Sequence, residues 1–136
     1  MPCIFCEIAV GKQPANVIYE TGVAVAFLDN HPLVDGHTMV IPRDHYQRLA
    51  DMPEDLVRDV FAAVREVARK VEAALGNSAA TIGINDGPEA GQVVPHLHVH
   101  IIPRTAGDGG GNIHSIVRRP TRVPLADMQA RIRGAG

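Results

Sequence analysis

Residues 95–102 read PHLHVHII. His96, His98 and His100 alternate with Leu97, Val99 and Ile101. Side chains on a strand point alternately to its two faces, so this pattern describes an extended segment with one apolar and one imidazole face. Successive rings on that face stand about 7 Å apart. The apolar set needs a cover, and residues 53–75, PEDLVRDVFAAVREVARKVEAAL, supply one. Leu56, Val57, Val60, Phe61, Val64, Val67, Ala68, Val71 and Leu75 recur at the three- and four-residue spacing of an amphipathic helix. Pro53 suits the first helical position, Glu54 and Asp55 the positive end of the helix dipole, Arg69 and Lys70 the negative end, and Gly76 the stop. At about 1.5 Å per residue this helix can span a small sheet.

The remaining strands are read from turn residues between β-rich runs. Val17–Glu20 and Val23–Leu28 flank Thr21-Gly22 as a hairpin, and Asp29-Asn30-His31-Pro32 ends it. His37–Ile41 is a third strand closed by Pro42, Ala80–Asn85 a fourth, and Val93–Ile102 a fifth that ends at Pro103. Cys3–Val10 is a turn of helix stopped by Gly11, and Val123–Arg133 a short closing helix. Residues 86–91 form a tight connection, while TAGDGGGN (105–112) reads as flexible. The Gly-rich stretch has no following Gly-Lys-Ser/Thr, so it is no P-loop. The order predicts an α+β domain: a five-stranded antiparallel sheet with one long helix packed on a face.

The chain has 136 residues, which suits a single domain, 1–136, with residues 105–136 as a Gly-rich loop and C-terminal segment. The core is built from Val, Ile, Leu and Ala, since Trp is absent and Phe and Tyr are few. A net charge of -2 gives no reason to expect nucleic-acid binding over the whole surface. The charge is uneven: residues 1–103 hold 7 Lys and Arg against 13 Asp and Glu, and residues 104–136 hold 6 against 2. That basic segment is either a solvated surface or an anion contact. No apolar run has the roughly 20 residues of a membrane span, and the N-terminus lacks the features of a signal peptide. Two cysteines in such a chain suggest a cytoplasmic protein with reduced thiols and no membrane partner.

Three imidazoles in register replace an entire strand face, which no packing need explains. Two chemistries use such a row. Neutral imidazoles ligate transition metals, and an imidazole titrating near neutrality is a competent nucleophile whose neighbour can hold a proton. Cys3-Ile4-Phe5-Cys6 adds the two-residue gap of a zinc knuckle, a spacing that redox thiol pairs share.

The run PHLHVHII, the surrounding INDGPEAGQVVPHLHVHIIPR (84–104) and the upstream FLDNHPLVDGHTMVIPRDH (27–45) resemble the histidine triad superfamily of nucleotide hydrolases and transferases. The resemblance covers about Cys3 to Arg104 and implies a nucleotide hydrolase with a covalent intermediate. His98 would attack the α-phosphorus of a purine nucleotide, and water would then release the nucleoside monophosphate. His100 would contact the phosphate and help the leaving group. Asp29 and Asn30 would hold ribose and base, with His37, Asn85, Gly91 and Gln92 around the phosphate. The glycines of residues 87–91 would let backbone N–H groups approach an anion. One position departs from the family. Many members carry Ser or Thr after the Gly-Gln pair, where this chain has Val93, which has no proton to give.

The resemblance also implies a structural zinc of the kind found in bacterial-type members and in the related galactose-1-phosphate uridylyltransferase. Its ligands here would be Cys3, Cys6, His45 and His96, a closed tetrahedral set that leaves His98 free. The alternative is a pair of reduced thiols with His45 hydrogen-bonded to His96. Homodimerisation is likewise a family expectation, consistent with the need of a small antiparallel sheet to cover its edges. His31 and His114 read as surface residues, and Arg118, Arg119 and Arg122 as possible polyphosphate contacts. Competing readings are a nucleotide-binding regulatory protein with little turnover and a metalloenzyme holding a catalytic ion with all three histidines.

Overall fold

The computed structural model describes residues 2–136. In chain order the elements are α1 (Ile4–Ala9), β1 (Val17–Glu20), β2 (Ala24–Leu28), β3 (Thr38–Pro42), α2 (Glu54–Leu75), β4 (Ala80–Gly83), β5 (Val99–Pro103) and α3 (Leu125–Arg133). Single 3-10 turns stand at Leu49–Asp51, Pro88–Ala90 and Ile113–Ser115. The strands form one sheet in the order β1-β2-β3-β5-β4, antiparallel at every pairing. The architecture is the expected α+β fold, a five-stranded antiparallel sheet with the long helix on one face. Among the described residues, no helix is long and apolar enough to cross a membrane.

α2 lies across the middle of the sheet. Ala63, Val64, Val67, Ala68 and Val71 form its buried stripe, packed on Ala24, Ala26, Val40, Val99 and Ile101. Leu97 is also fully buried, beside Met52 and Val60. The apolar half of the PHLHVHII alternation therefore does face the helix. Phe61 and Leu75, expected in the same stripe, sit at its exposed rim. Pro53 caps α2 from outside rather than opening it, and Gly76 closes it in the left-handed conformation at φ 64°.

The opposite face has its own cover. Phe5, Ile8 and Ala9 of α1 pack on Val25, Phe27, Met39 and Ile41. β2 and β3 are therefore buried on both sides, which explains their near-continuous apolar runs. His100 pairs across β3 with Met39, so the imidazole face of β5 is the α1 face.

The fifth strand is shorter than the sequence reading. It starts at Val99, not Val93: its pairing with β3 stops at Val40 and Val99, although β3 itself runs on to Pro42. Beyond that point the carbonyl of Pro42 accepts from the His96 ring at 2.8 Å, and the Leu97 N–H donates instead to Tyr46 O at 2.7 Å. The fourth strand likewise stops at Gly83 rather than Asn85, freeing Ile84 and Asn85 for the following loop. The stretch read as flexible, 105–112, is organised around one ion pair. Arg104 grips Asp108 through Nε and Nη2, and Asp108 accepts from the N–H of Gly110 and of Thr105. These bonds hold the Asp108 carboxyl well below the usual carboxylate range.

Candidate functional site

A cleft of about 580 Å³ opens on the α1 face. Ile4, Phe5, Ile8, Ala15, Phe27 and Met39 make its apolar wall. Asp29, Asn30, His31 and Asn85 bring polar groups, and His98 and His100 stand at one end with Gly91, Val93 and Val94. Such a cleft takes a flat apolar ring system on one side and a polar or charged group on the other.

The three triad histidines have three different environments. His96 is fully buried, and its Nε2–H donates to Pro42 O at 2.8 Å, which leaves Nδ1 as an acceptor. His98 is 8% exposed, and its Nδ1–H donates to the carbonyl of His96 at 2.8 Å. A backbone carbonyl can only accept, so the neutral ring keeps a lone pair on Nε2. Phe5 packs edge-on against this ring at 5.2 Å.

His100 holds its proton the other way round. The N–H of Leu33 donates to His37 Nδ1 at 3.1 Å, so neutral His37 carries its proton on Nε2. That N–H donates to His100 Nδ1 at 2.9 Å, which leaves the His100 proton on Nε2. Asp29 Oδ2 lies 3.5 Å from His37 Nε2 as a more distant second acceptor. Burial, with the His98 and His37 rings next to it, pulls the His100 pKa down to about 4. Burial also lowers that of His37. Both rings are therefore neutral near pH 7, as the relay requires. The rings of His98 and His100 are 5.1 Å apart, one ending in a lone pair and the other in an N–H.

The loop after β4 differs from the anion cradle expected of its glycines. The N–H groups of Ala90, Gly91 and Gln92 bond to carbonyls inside the loop, and that of Gly87 bonds to Gln92 Oε1 at 2.9 Å. Gln92 is 8% exposed, donates through Nε2 to Gln47 O at 2.9 Å, and stands behind the cleft wall. His37 also stands behind the wall, acting on His100. The cleft side of the loop is made by Asn85, Gly91 and Val93, whose side chain is 89% exposed. His114, Arg118, Arg119 and Arg122 are exposed and lie outside the cleft lining, whereas exposed His31 lines it. A neighbouring hollow of about 450 Å³, lined by Leu33, Ile102 and Ile116, has Arg104 at its edge, already bonded to Asp108, Thr81 and Gly111.

Cys3, Cys6, His45 and His96 converge beside the cleft, with one ligand atom from each lying within 4.8 Å of the others. Cys3 Sγ lies 3.4 Å from His96 Nδ1, and Cys6 Sγ lies 3.3 Å from His45 Nδ1 and 3.5 Å from His96 Nδ1. Zn–S and Zn–N bonds at a tetrahedral angle set a sulfur–nitrogen edge of about 3.6 Å. The cluster therefore fits such an ion by donor chemistry and by spacing, and the Pro42 carbonyl orients the His96 ring as an outer partner should. Burial and the neighbouring Cys3 push the Cys6 thiol up. His96 turns toward the sulfurs and His98 toward the cleft, so the three triad rings do not converge on one point.

The sequence matches the HIT domain family over residues 10–107. It is 45% identical over 107 residues to an uncharacterised HIT-like protein of Methanocaldococcus jannaschii, covering 79% of this chain and 82% of that one. It is 43% identical over 108 residues to the asymmetrical bis(5'-nucleosyl)-tetraphosphatase of Schizosaccharomyces pombe, covering 79% and 58%. The fold superposes on the crystal structure of a HIT family protein from Bacillus subtilis with a TM-score of 0.82 and 34% identity, covering 98% and 94%. A zinc-bound histidine triad family protein from Mycobacterium smegmatis superposes at 0.74 with 40% identity, covering 79% and 78%. With the motif, the sheet and the paired imidazoles in place, the match over most of its length makes this chain a member of the HIT domain family.

Proposed function

We propose that the protein hydrolyses nucleotides at the α-phosphate, acting on dinucleoside polyphosphates or nucleoside phosphoramidates. The observation that carries this reading is the opposed tautomers of His98 and His100 at one end of the cleft. The His98 Nε2 lone pair attacks the α-phosphorus as the bond to the leaving group breaks, giving a nucleotidyl-histidine. The His100 N–H and the Asn85 amide face the phosphate oxygens and stabilise their charge. Water then attacks the same phosphorus, the bond to His98 breaks, and nucleoside monophosphate leaves. A purine lies against Phe5, Phe27 and Ile8, with Asp29 and Asn30 at the ribose. Val93 brings no hydroxyl to the leaving group, which favours phosphoanhydrides over amines, whose departure needs a proton. The tetraphosphatase activity named for the Schizosaccharomyces pombe relative supports the substrate class.

Zinc at Cys3, Cys6, His45 and His96 is structural in this reading, because four protein ligands leave no open position. When bound it supplies a fixed cross-link and no chemistry. The thiols require a reducing compartment such as the cytoplasm. The protein acts as a homodimer joined through a sheet edge; β4 is one such edge, with Ile82 41% exposed. Sedimentation at micromolar concentration should give twice the chain mass, and a monomer would remove that part of the reading.

The test of the mechanism is His98→Ala. It should fold as the wild type does and lose at least about a thousandfold in release of AMP from diadenosine polyphosphates. Rapid quenching of the wild type should yield a nucleotide adduct on residues 95–104. Substantial turnover by the variant would exclude His98 as nucleophile, and tight nucleotide binding by a wild type without turnover would favour a regulatory protein.

A further inference from the structure

Residues 46–49 run along the back of the loop that follows β4, and side chains of that loop reach out to hold them. Asp86 Oδ1 accepts from the N–H of Leu49 at 3.0 Å and from Arg48 Nε at 3.2 Å. Gln92 Nε2 donates to Gln47 O at 2.9 Å, while its Oε1 accepts from the N–H of Gly87 at 2.9 Å. Tyr46 O takes the N–H of Leu97, so the same segment also holds the approach to His98. Each end of the loop is thus latched by one side chain to a strap about 40 residues away in sequence.

The latches alternate with the cleft. Asn85 precedes Asp86 and Gly91 precedes Gln92; the first of each pair lines the cleft and the second faces the strap. The Asn85 amide packs over Gly91, where a Cβ would stand 4.0 Å from Asn85 Cγ. Gly91, at φ 97°, thus brings the Gln92 end of the loop alongside that amide. Behind the loop, Arg48 lies against Gly87, 3.3 Å from where a Cβ would be, and closes the strap side. Gln92 has both amide atoms bonded to backbone and is not among the residues that line the cleft. A carboxylate at Asp86 would repel a phosphate, and it points to the other side.

We infer that Asp86 and Gln92 are positioning residues: neither touches the nucleotide, and together they fix the Asn85 amide where the phosphate is received. The ligand part of this inference rests on the proposed nucleotide site; the positioning part does not. Two variants separate the two. Gln92→Glu keeps the acceptor for Gly87 and sets an oxygen against Gln47 O. Asp86→Ala removes the one oxygen that accepts from both Leu49 and Arg48.

The first measurement needs no ligand: nuclear relaxation and hydrogen exchange of the Asn85 side-chain amide in the free protein. Both variants should mobilise it while α2 amides keep their protection. The second is AMP affinity by calorimetry in a double-mutant cycle. Gln92→Glu and Asn85→Ala should each weaken AMP by about tenfold, and the pair by no more than about twofold beyond Asn85→Ala alone. An Asn85 amide as ordered in both variants as in the wild type would overturn the inference, and so would fully additive losses of affinity. A wild type that fails to bind AMP would instead count against the nucleotide reading, with the order of Asn85 still deciding the positioning.

Discussion

His98 and His100 are the same side chain two residues apart, and the fold gives them opposite hydrogen-bonding ends. A carbonyl fixes His98; a chain of two donors, the Leu33 N–H and the His37 Nε2–H, fixes His100. The relay works only while His37 and His100 are neutral. In an unfolded chain both titrate near 6.5, whereas in the fold His100 binds its proton only near pH 4 and His37 is shifted the same way. Between those values the unfolded state holds more protons, so stability is level above pH 6.5 and falls as pH drops toward 4. Thermal melts between pH 7.5 and 5 should show a declining midpoint, with a smaller decline in a His37→Asn, His100→Asn double variant. Equal declines in the two proteins would mean that these rings carry no such shift. The sequence exposed the triad because alternation is a one-dimensional pattern. It could not expose the tautomers, which start from two backbone groups, the Leu33 N–H that sets His37 and the His96 carbonyl that sets His98. Gln92 shows the same limit: its partners are backbone atoms of Gly87 and Gln47, and residue type alone says only that it is polar.

Among the secondary elements, α2 was the most readable, because a buried stripe repeats every three or four residues whatever it packs on. Val67 lies at the centre of that stripe, fully buried against a sheet surface made partly of Ala24 and Ala26. Those small residues leave little that could move into a gap. Val67→Ala should therefore cost about 2 kcal/mol, the loss of two buried methyl groups plus the void they leave. Urea unfolding would measure it, and a loss below about 0.5 kcal/mol would mean the site collapses freely. β5 was less readable for a complementary reason. The alternation of HLHVH continues through residues 96–98, yet strand pairing stops at Val99 although β3 runs on to Pro42, because the Leu97 N–H goes to Tyr46 O and the Pro42 carbonyl to the His96 ring. Side-chain direction is a property of one segment, and pairing is a property of two. The same holds for residues 105–112, whose glycines read as freedom until Arg104 and Asp108 met across them.

The sheet has two covers of unequal strength, and the weaker one carries the candidate chemistry. α2 has 22 residues and a continuous stripe, while α1 has six, far too few to persist as a helix by itself. α3, whose residues other than Met128 are exposed, adds nothing to that second cover. α1 stays through Phe5, Ile8 and Ala9 and through its two sulfurs, Cys3 at its cap and Cys6 within it, joined at the cluster to His45 and His96. Ile4, Phe5 and Ile8 are also the apolar wall of the cleft. Removing a metal from this cluster should then do two things at once: lower the melting temperature and weaken nucleotide binding, with α2 untouched. At a free metal concentration about a thousandfold above its dissociation constant, binding stabilises the fold by about 4 kcal/mol. For a chain of this size that corresponds to a shift of roughly 12–16 °C. Protein purified without added metal should carry about one zinc per chain. After chelation it should melt lower by that amount and lose hydrogen-exchange protection first in residues 3–10. Cys6→Ser should reproduce both changes without a chelator. A zinc content well below one per chain, or a chelated protein that melts with the untreated one, would show α1 held by packing and hydrogen-bonded thiols alone.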